Sequence, residues 1–236
     1  MRFKRILLKL SGEVLAGRSG LGIEQEAIFG YAEQVAQIAK SGVEVGLVLG
    51  GGNFWRARMA PYMERNSADF MGMLATIMNG LAFADALRAQ GQEAVVMAAV
   101  QVPQFAQLFN AKAAREHLAS KRVVVFVGGT GNPYFTTDSG AALRGLQIEA
   151  DVLLKGTLID GVYDSDPHKN PQAQRFDSLT FTEALKRGLK VMDSTAFSLC
   201  RDNGLPLYVF NITEYGNLHK VVVEGANIGT LVKEEL

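Results

Sequence analysis

Two lysines stand at the ends of apolar runs, each beside small residues: Ile6-Leu-Leu-Lys9-Leu-Ser-Gly12 and Val152-Leu-Leu-Lys155-Gly156. A lysine near the tip of a buried strand is costly unless it meets an anion. The alternative is an edge strand with its lysine in solvent. Between the lysines lie two glycine runs. Gly50-Gly51-Gly52-Asn53 follows Val43–Leu49 and leads into Arg56 and Arg58. Gly128-Gly129-Thr130-Gly131-Asn132-Pro133 follows four valines and a phenylalanine, and ends in Thr136-Thr137-Asp138. Consecutive glycines let another molecule approach the main chain closely. Arginine suits phosphate because its planar fork donates two parallel hydrogen bonds. A strand, a glycine loop and a helix start in that order put free N–H groups and a positive helix end where an anion can sit. The same order also serves a plain strand-to-helix turn.

The elements that must position these residues alternate along the chain. Strands are expected at 3–10, 43–49, 94–100, 123–127, 151–156 and 205–210, with a short last strand at 230–232. Helical spacing is expected at 24–40, 67–90, 104–119, 139–149, 182–188 and 194–203, and again after 216. Thr136 or Thr137 is the expected cap of the 139–149 helix. The 67–90 helix is apolar over much of its girth, which favours a subunit interface. Asp69 falls in its expected first turn, where an acid also suits the helix dipole. Asp160-Gly161 between short apolar pairs predicts a hairpin with a type I′ turn. The hairpin is expected to form a flap carrying Tyr163, with a turn at Asp164, Asp166 and Pro167. The βα alternation predicts an α/β fold: a three-layer αβα sandwich around a mostly parallel, twisted sheet.

Composition narrows the classes. With 24 basic and 24 acidic residues in 236, a broad nucleic-acid-binding face is not expected. The single cysteine, Cys200, excludes an internal disulfide framework and fits a cytoplasmic protein. The apolar run after Met1-Arg-Phe-Lys-Arg5 is cut by Lys9, too short for a signal core. No stretch approaches the roughly 20 apolar residues of a membrane span. His117, His168 and His219 lack ligand spacing, so no protein-held metal is expected. No linker or repeat is visible, and residues 1–236 read as a single domain.

Gly-x-x-x-x-Gly-Lys-Ser/Thr is absent, and the glycines at 128, 129 and 131 do not complete Gly-x-Gly-x-x-Gly. What remains is a set at expected strand ends: Lys9, the 50–52 glycines, Arg56, the 128–131 glycines, Asp138, Lys155 and Asp166. Ligands of open α/β sheets bind at such ends. Two lysines, an arginine and bare backbone suit a polyanion. Phosphoryl transfer needs positioning and charge stabilisation more than covalent help. An acceptor that is already anionic needs no strong base.

The chain resembles the amino acid kinase superfamily and, within it, the bacterial-type UMP kinase family. The resemblance is carried by Lys9-Leu-Ser-Gly12, Gly50-Gly-Gly-Asn53 with Arg56, and Asp69-Phe-Met-Gly-Met-Leu-Ala-Thr-Ile-Met-Asn-Gly80. Further along it is carried by Gly129-Thr-Gly-Asn-Pro-Tyr-Phe-Thr-Thr-Asp138, Lys155-Gly-Thr157 through Asp166-Pro167, and Lys190-Val-Met-Asp193. It implies transfer of a phosphoryl group from ATP to UMP, giving ADP and UDP, with magnesium carried on the ATP phosphates. By motif, Lys9, Leu10, Ser11 and Gly12 would hold ATP phosphates, with Gly52 and Arg56 nearby. Thr157, Tyr163 and Asp166 would bind the adenosine half. Gly51, Asp69, Thr130, Gly131, Asn132, Pro133, Tyr134, Phe135, Thr136 and Thr137 would hold UMP, with Asp69 on the ribose hydroxyls. Lys9 and Lys155 would neutralise the transferring group, with Asp138 orienting them and Arg56 close by. UMP-binding features then fall mainly in 43–138, and ATP-binding features in 151–236 plus 9–12. The resemblance also implies a homohexamer built from dimers, with GTP as activator and UTP as inhibitor. The segment Val14–Gly22 is shorter than the corresponding loop of many members, and regulation is expected near it.

Two rival readings share the fold. One is a superfamily kinase acting on a carboxylate or carbamate, against which the Asp69 helix and the Gly-Thr-Gly-Asn-Pro loop argue. The other is a nucleotide-binding storage or regulatory protein, which would bind ATP without releasing ADP.

Overall fold

The structure is a computed structural model and describes residues 3–56, 60–167 and 169–234. Arg58 and His168 lie outside the described residues. Among the described residues, nine strands form one sheet: β1 (Arg5–Leu10), β2 (Glu44–Leu49), β3 (Ala94–Ala98), β4 (Gln107–Leu108), β5 (Val123–Val127), β6 (Val152–Thr157), β7 (Ser178–Thr180), β8 (Leu207–Asn211) and β9 (Gly229–Lys233). Their order is β4-β3-β5-β2-β1-β6-β8-β9-β7. Every pair is parallel except β8 with β9. The strands are almost continuously apolar because both faces are covered. Helices α1 (Gln25–Lys40), α2 (Arg65–Ala89) and α7 (Asn217–His219) pack with Ile6, Leu8 and Leu10 on one face. Helices α3 (Ala111–Ala119), α4 (Thr137–Gln147), α5 (Phe181–Lys186) and α6 (Ser194–Asp202) pack with Leu7, Val124 and Leu153 on the other. This is the expected three-layer α/β architecture.

β1 is the fifth of the nine strands, so Lys9 is on the central strand and not at an edge. Lys9 pairs in register with Lys155 of β6. Alternation along a strand puts Lys9 on the face of Leu7 and Lys155 on the face of Leu153. Both leucines belong to the layer packed by α4. The two lysines therefore point, side by side, toward the face where α4 lies.

Four expectations change. The expected helix over 104–119 begins only at Ala111, where the Asn110 side chain accepts the Ala113 N–H at 3.0 Å. Before it, Gln107–Leu108 joins β3 as a short edge strand, a use of backbone hydrogen bonds that apolar spacing does not report. The strand β7 was not anticipated; its three residues are too few for a period. No type I′ hairpin forms at Asp160-Gly161, and Gly161 has no positive φ. Tyr163 pairs instead with Arg175 in an isolated antiparallel bridge. Gly161 is needed for space: a Cβ there would lie 2.5 Å from Thr230 Oγ1 and 2.8 Å from Arg175 Cδ. Finally, α2 has the length and apolar composition of a membrane-crossing helix, contrary to the sequence expectation. However, 56% of its most apolar stretch is buried inside the fold. Its polar residues bond to loops of the same chain, as a core helix requires.

Candidate active site

Asp138 stands between the two lysines. Its Oδ1 lies 2.9 Å from Lys9 Nζ and its Oδ2 2.7 Å from Lys155 Nζ. All three side chains are less than a fifth exposed. Lys155 Nζ also donates to the Val191 carbonyl at 2.7 Å. The carboxylate arrives in the first turn of α4, whose N-cap is Thr136, accepting the Ser139 N–H at 3.1 Å. Of the two threonines expected to cap, it is the first that does so. Burial alone would raise the Asp138 pKa; the two ammonium groups overcome it and hold the carboxyl below its ordinary value. The result is a buried unit of two cations and one anion, carrying a net positive charge at the ends of the two central strands.

A cavity of about 450 Å³ reaches Thr136 and Thr137, the residues just before Asp138. It is lined by Gly51, Asp69, Thr130, Asn132, Phe135, Thr136 and Thr137 from the expected acceptor set. Gly52 and Arg56, expected near the donor phosphates, also line it. Gly131, Pro133 and Tyr134 shape the loop from outside the wall. Gly131 N–H closes a turn onto the Gly128 carbonyl at 2.9 Å. Tyr134 has a φ of 72° and donates its N–H to Asp69 Oδ2 at 2.8 Å. A left-handed backbone costs a residue with a Cβ roughly 1–2 kcal/mol, so this loop needs an anchor. Asp69 supplies it and also accepts Arg65 Nε at 2.8 Å, again on Oδ2. That leaves Oδ1 with capacity for a ligand hydroxyl. Asp69 is not in the first turn of α2, which starts at Arg65, so the helix dipole does not explain it. Arg56 pairs with Glu13 and donates to the Gly52 carbonyl, holding its fork over the glycine loop.

A second cavity of about 490 Å³ is lined by Lys155, Thr157, Tyr163 and Asp166, together with the 187–191 segment. Tyr163 donates its hydroxyl to Asp160 Oδ1 at 2.7 Å. Lys9, Leu10, Ser11 and Gly12 are not among its lining residues. Leu10 is fully buried in the core, leaving only its backbone to act, and the Ser11 side chain accepts the Glu13 N–H at 3.4 Å.

Several contributors had no assigned role in the sequence. Asp193 caps α6 through Ala196 N–H at 3.0 Å and also accepts Thr136 Oγ1 at 2.5 Å and Ser139 Oγ at 3.1 Å. It ties the α4 start to the segment that follows Val191 at the wall of the second cavity. An aspartate before Ser-Thr-Ala is a readable cap signal, but its reach to Thr136 is not. Thr76 accepts Gly128 N–H at 2.8 Å, and Trp55 lines the 450 Å³ cavity with its indole N–H on the Ala68 carbonyl at 2.8 Å. Cys200 sits beneath the centre; burial, then the charges of Asp138 and Asp193, pushes its thiol up to about 12. It is an inert core residue. Among the described residues no group of three His, Cys, Asp or Glu side chains could hold a metal by itself.

Residues 4–211 match the amino acid kinase family. The chain belongs to that family. Solved structures agree over its whole length. A UMP kinase from Bacillus anthracis shares 32% identity at a TM-score of 0.96, covering 100% of this chain and 98% of its own. A UMP kinase from Ureaplasma parvum shares 42% identity at a TM-score of 0.94, covering 99% of this chain and all of its own. The chain thus carries a doubly clamped carboxylate with two cavities next to it, one reached by Lys155 and one by Thr137, an arrangement suited to moving an anionic group from one ligand to another.

Proposed function

We propose that this chain is a UMP kinase that transfers the γ-phosphoryl group of ATP to UMP, giving UDP and ADP, in pyrimidine nucleotide biosynthesis. The observation that carries this is the Lys9–Asp138–Lys155 unit with two cavities next to it. Lys155 lines one, and Thr137, the neighbour of Asp138, lines the other. UMP occupies the cavity of Gly51, Asp69 and Thr130–Thr137, with its ribose hydroxyls on Asp69. ATP occupies the cavity of Thr157, Tyr163 and Asp166, its phosphates reaching Lys9 through Gly12. A phosphate oxygen of UMP attacks the γ-phosphorus while the bond to the β-phosphate oxygen breaks, and ADP leaves with the electron pair. The acceptor is already an anion, so no general base is needed; the lysines and the glycine N–H groups stabilise the equatorial charge. Arg56 adds a cation beside Gly52. Magnesium fits as an ion carried on the ATP phosphates, where it would neutralise charge, since the described residues form no cage for it.

The exposed Phe70, Met71, Leu74 and Met78 on α2 support dimer formation, and a homohexamer built from such dimers belongs to the same proposal. So do activation by GTP, inhibition by UTP and a cytoplasmic location, the last supported by a lone buried thiol. The deciding assay is coupled ADP release with magnesium-ATP, comparing UMP, CMP, dCMP and no acceptor. Turnover selective for UMP is expected. ATP binding without turnover on any acceptor would leave a storage or regulatory protein.

A further inference from the structure

Two buried asparagines sit behind the glycine triplet. Asn79, in the middle of α2, is fully buried, and Asn53, at the end of Gly50-Gly51-Gly52, is 1% exposed. They face each other as a reciprocal amide pair. Asn79 Nδ2 donates to Asn53 Oδ1 at 2.7 Å, and Asn53 Nδ2 donates to Asn79 Oδ1 at 2.9 Å. Each amide has a second hydrogen to give. That of Asn79 goes to the Gly50 carbonyl at 2.7 Å, and that of Asn53 to the Gly22 carbonyl at 2.7 Å.

The consequence is geometric. Gly51 and Gly52 are held at both ends by one pair, at the Gly50 carbonyl on one side and at the Asn53 side chain on the other. The same loop is tied to β1, because Gly50 N–H donates to the Leu10 carbonyl at 2.9 Å. A Cβ at Gly12 would collide with both Asn53 Oδ1 and the Gly50 carbonyl. Meanwhile α2 presents Asp69, Thr76 and Asn79 within one face, at spacings of seven and three. Asp69 holds Tyr134, and Thr76 holds Gly128. One rigid helix therefore carries the acceptor loop, the glycine triplet and, through Asn53, the end of the Lys9 strand.

We propose that Asn53 and Asn79 are positioning residues for the transfer step, fixing the Gly51-Gly52 backbone against α2 and the Lys9–Gly12 strand end. This rests on the UMP kinase reading above. The pair touches no substrate; it sets the separation between the acceptor phosphate and the group being transferred. Only amides satisfy all four bonds. A carboxylate at 79 would put oxygen against the Gly50 carbonyl and Asn53 Oδ1, and an apolar residue would leave both unsatisfied.

The test compares Asn79→Ala, Asn53→Ala and the double variant with Phe83→Leu. Phe83 is fully buried in the same helix but belongs to the apolar core, so its truncation lowers stability without removing a polar group that holds a loop. All are assayed below their own Tm with magnesium-ATP and UMP. A misplacement of the reacting groups costs on the order of 10²-fold. The expected result is a fall of that order in kcat for each asparagine variant, with both KM values moving less than about threefold. Phe83→Leu should keep its kcat. The double variant should lose no more than the worse single one, because the pair acts as a unit. If folded asparagine variants keep kcat within about twofold of the parent, the positioning role is overturned. Additive losses in the double variant would also overturn it. If one single variant does not fold, the other, which breaks the same bridge from the opposite end, decides. An inactive parent protein would instead overturn the UMP kinase reading, and this inference with it.

Discussion

The two cavities beside the lysine clamp are built in different ways. The acceptor-side wall hangs from one helix. Asp69, Thr76 and Asn79 of α2 reach three distant loop positions, Tyr134, Gly128 and Gly50, at 2.8, 2.8 and 2.7 Å. The donor-side wall between Leu158 and Asp177 is irregular and bonds mostly to itself: Tyr163 to Asp160, Gln174 N–H to Asp164 and Asn170 to Ser165. Its main tie to the sheet is Thr230, whose hydroxyl receives the Val162 N–H at 2.8 Å and donates to the Phe176 carbonyl. A wall anchored at many distant points holds its shape before a ligand arrives. A wall that bonds locally can close over one. Under the proposed assignment, selectivity resides in the preformed half and the donor half supplies coverage.

The strongest challenge to this contrast is at the clamp, which serves both halves. Lys9→Ala or Lys155→Ala should reduce kcat by about 10²–10³-fold or more, with the fold retained by circular dichroism. Near-normal turnover in both would remove the clamp from the mechanism, and the contrast between its flanks would lose its meaning. Next in size is Asp69→Asn. Loss of a charge-assisted bond, worth about 1.5–3 kcal/mol, should raise the KM for UMP at least tenfold and leave that for ATP unchanged. A shift confined to ATP would reverse the assignment of the two cavities.

Gly161→Ala probes the donor wall alone. The added methyl has to displace Arg175 or Thr230, and overpacking of this kind costs about 1–3 kcal/mol. The expected outcome is a lower Tm and a higher KM for ATP, with the KM for UMP unaltered. An equal rise in both would mean that the halves are not independent. The smallest effect concerns pH. The Asp138 carboxyl is depressed in the folded state from an ordinary 3.8. Its stabilisation is therefore fully present above that value and lost as pH falls through the lower folded value. Urea unfolding of the parent and of Asp138→Asn should show a gap that is constant from neutral pH to about pH 5 and narrows below about pH 4. A gap that already closes near pH 6 would contradict the depressed value.

Much of this was legible in the sequence. Mostly apolar runs ending in glycine marked β2 and β5, because a strand covered on both faces must be apolar and a phosphate-sized approach to the backbone needs missing side chains. Lys9 and Lys155 were conspicuous because charge at the end of a buried run demands a partner. The polar residues of α2 were visible too, but one helix pattern does not say which loops they meet. Where short elements dominate, local pattern failed: β4 and β7 are too brief for a period, and Gly161 was read for its φ when its role is space.

The sequence by itself determined the order of the long strands, the glycine loops and the long helices, since each depends on neighbours within a few residues. It determined the chemistry available, two lysines and bare backbone N–H groups, because residue type alone sets charge and steric reach. Only the tertiary structure decided that Asp138 would sit between lysines that lie 129 and 17 positions away in the chain. Parallel register set Lys9 against Lys155 on one face of the sheet, and the packing of α4 on that face brought the carboxylate to them. Asp193 and the Asn53–Asn79 pair belong to the same class: their partners are remote in sequence, and a buried polar group acquires its role only once folding has chosen what it must satisfy.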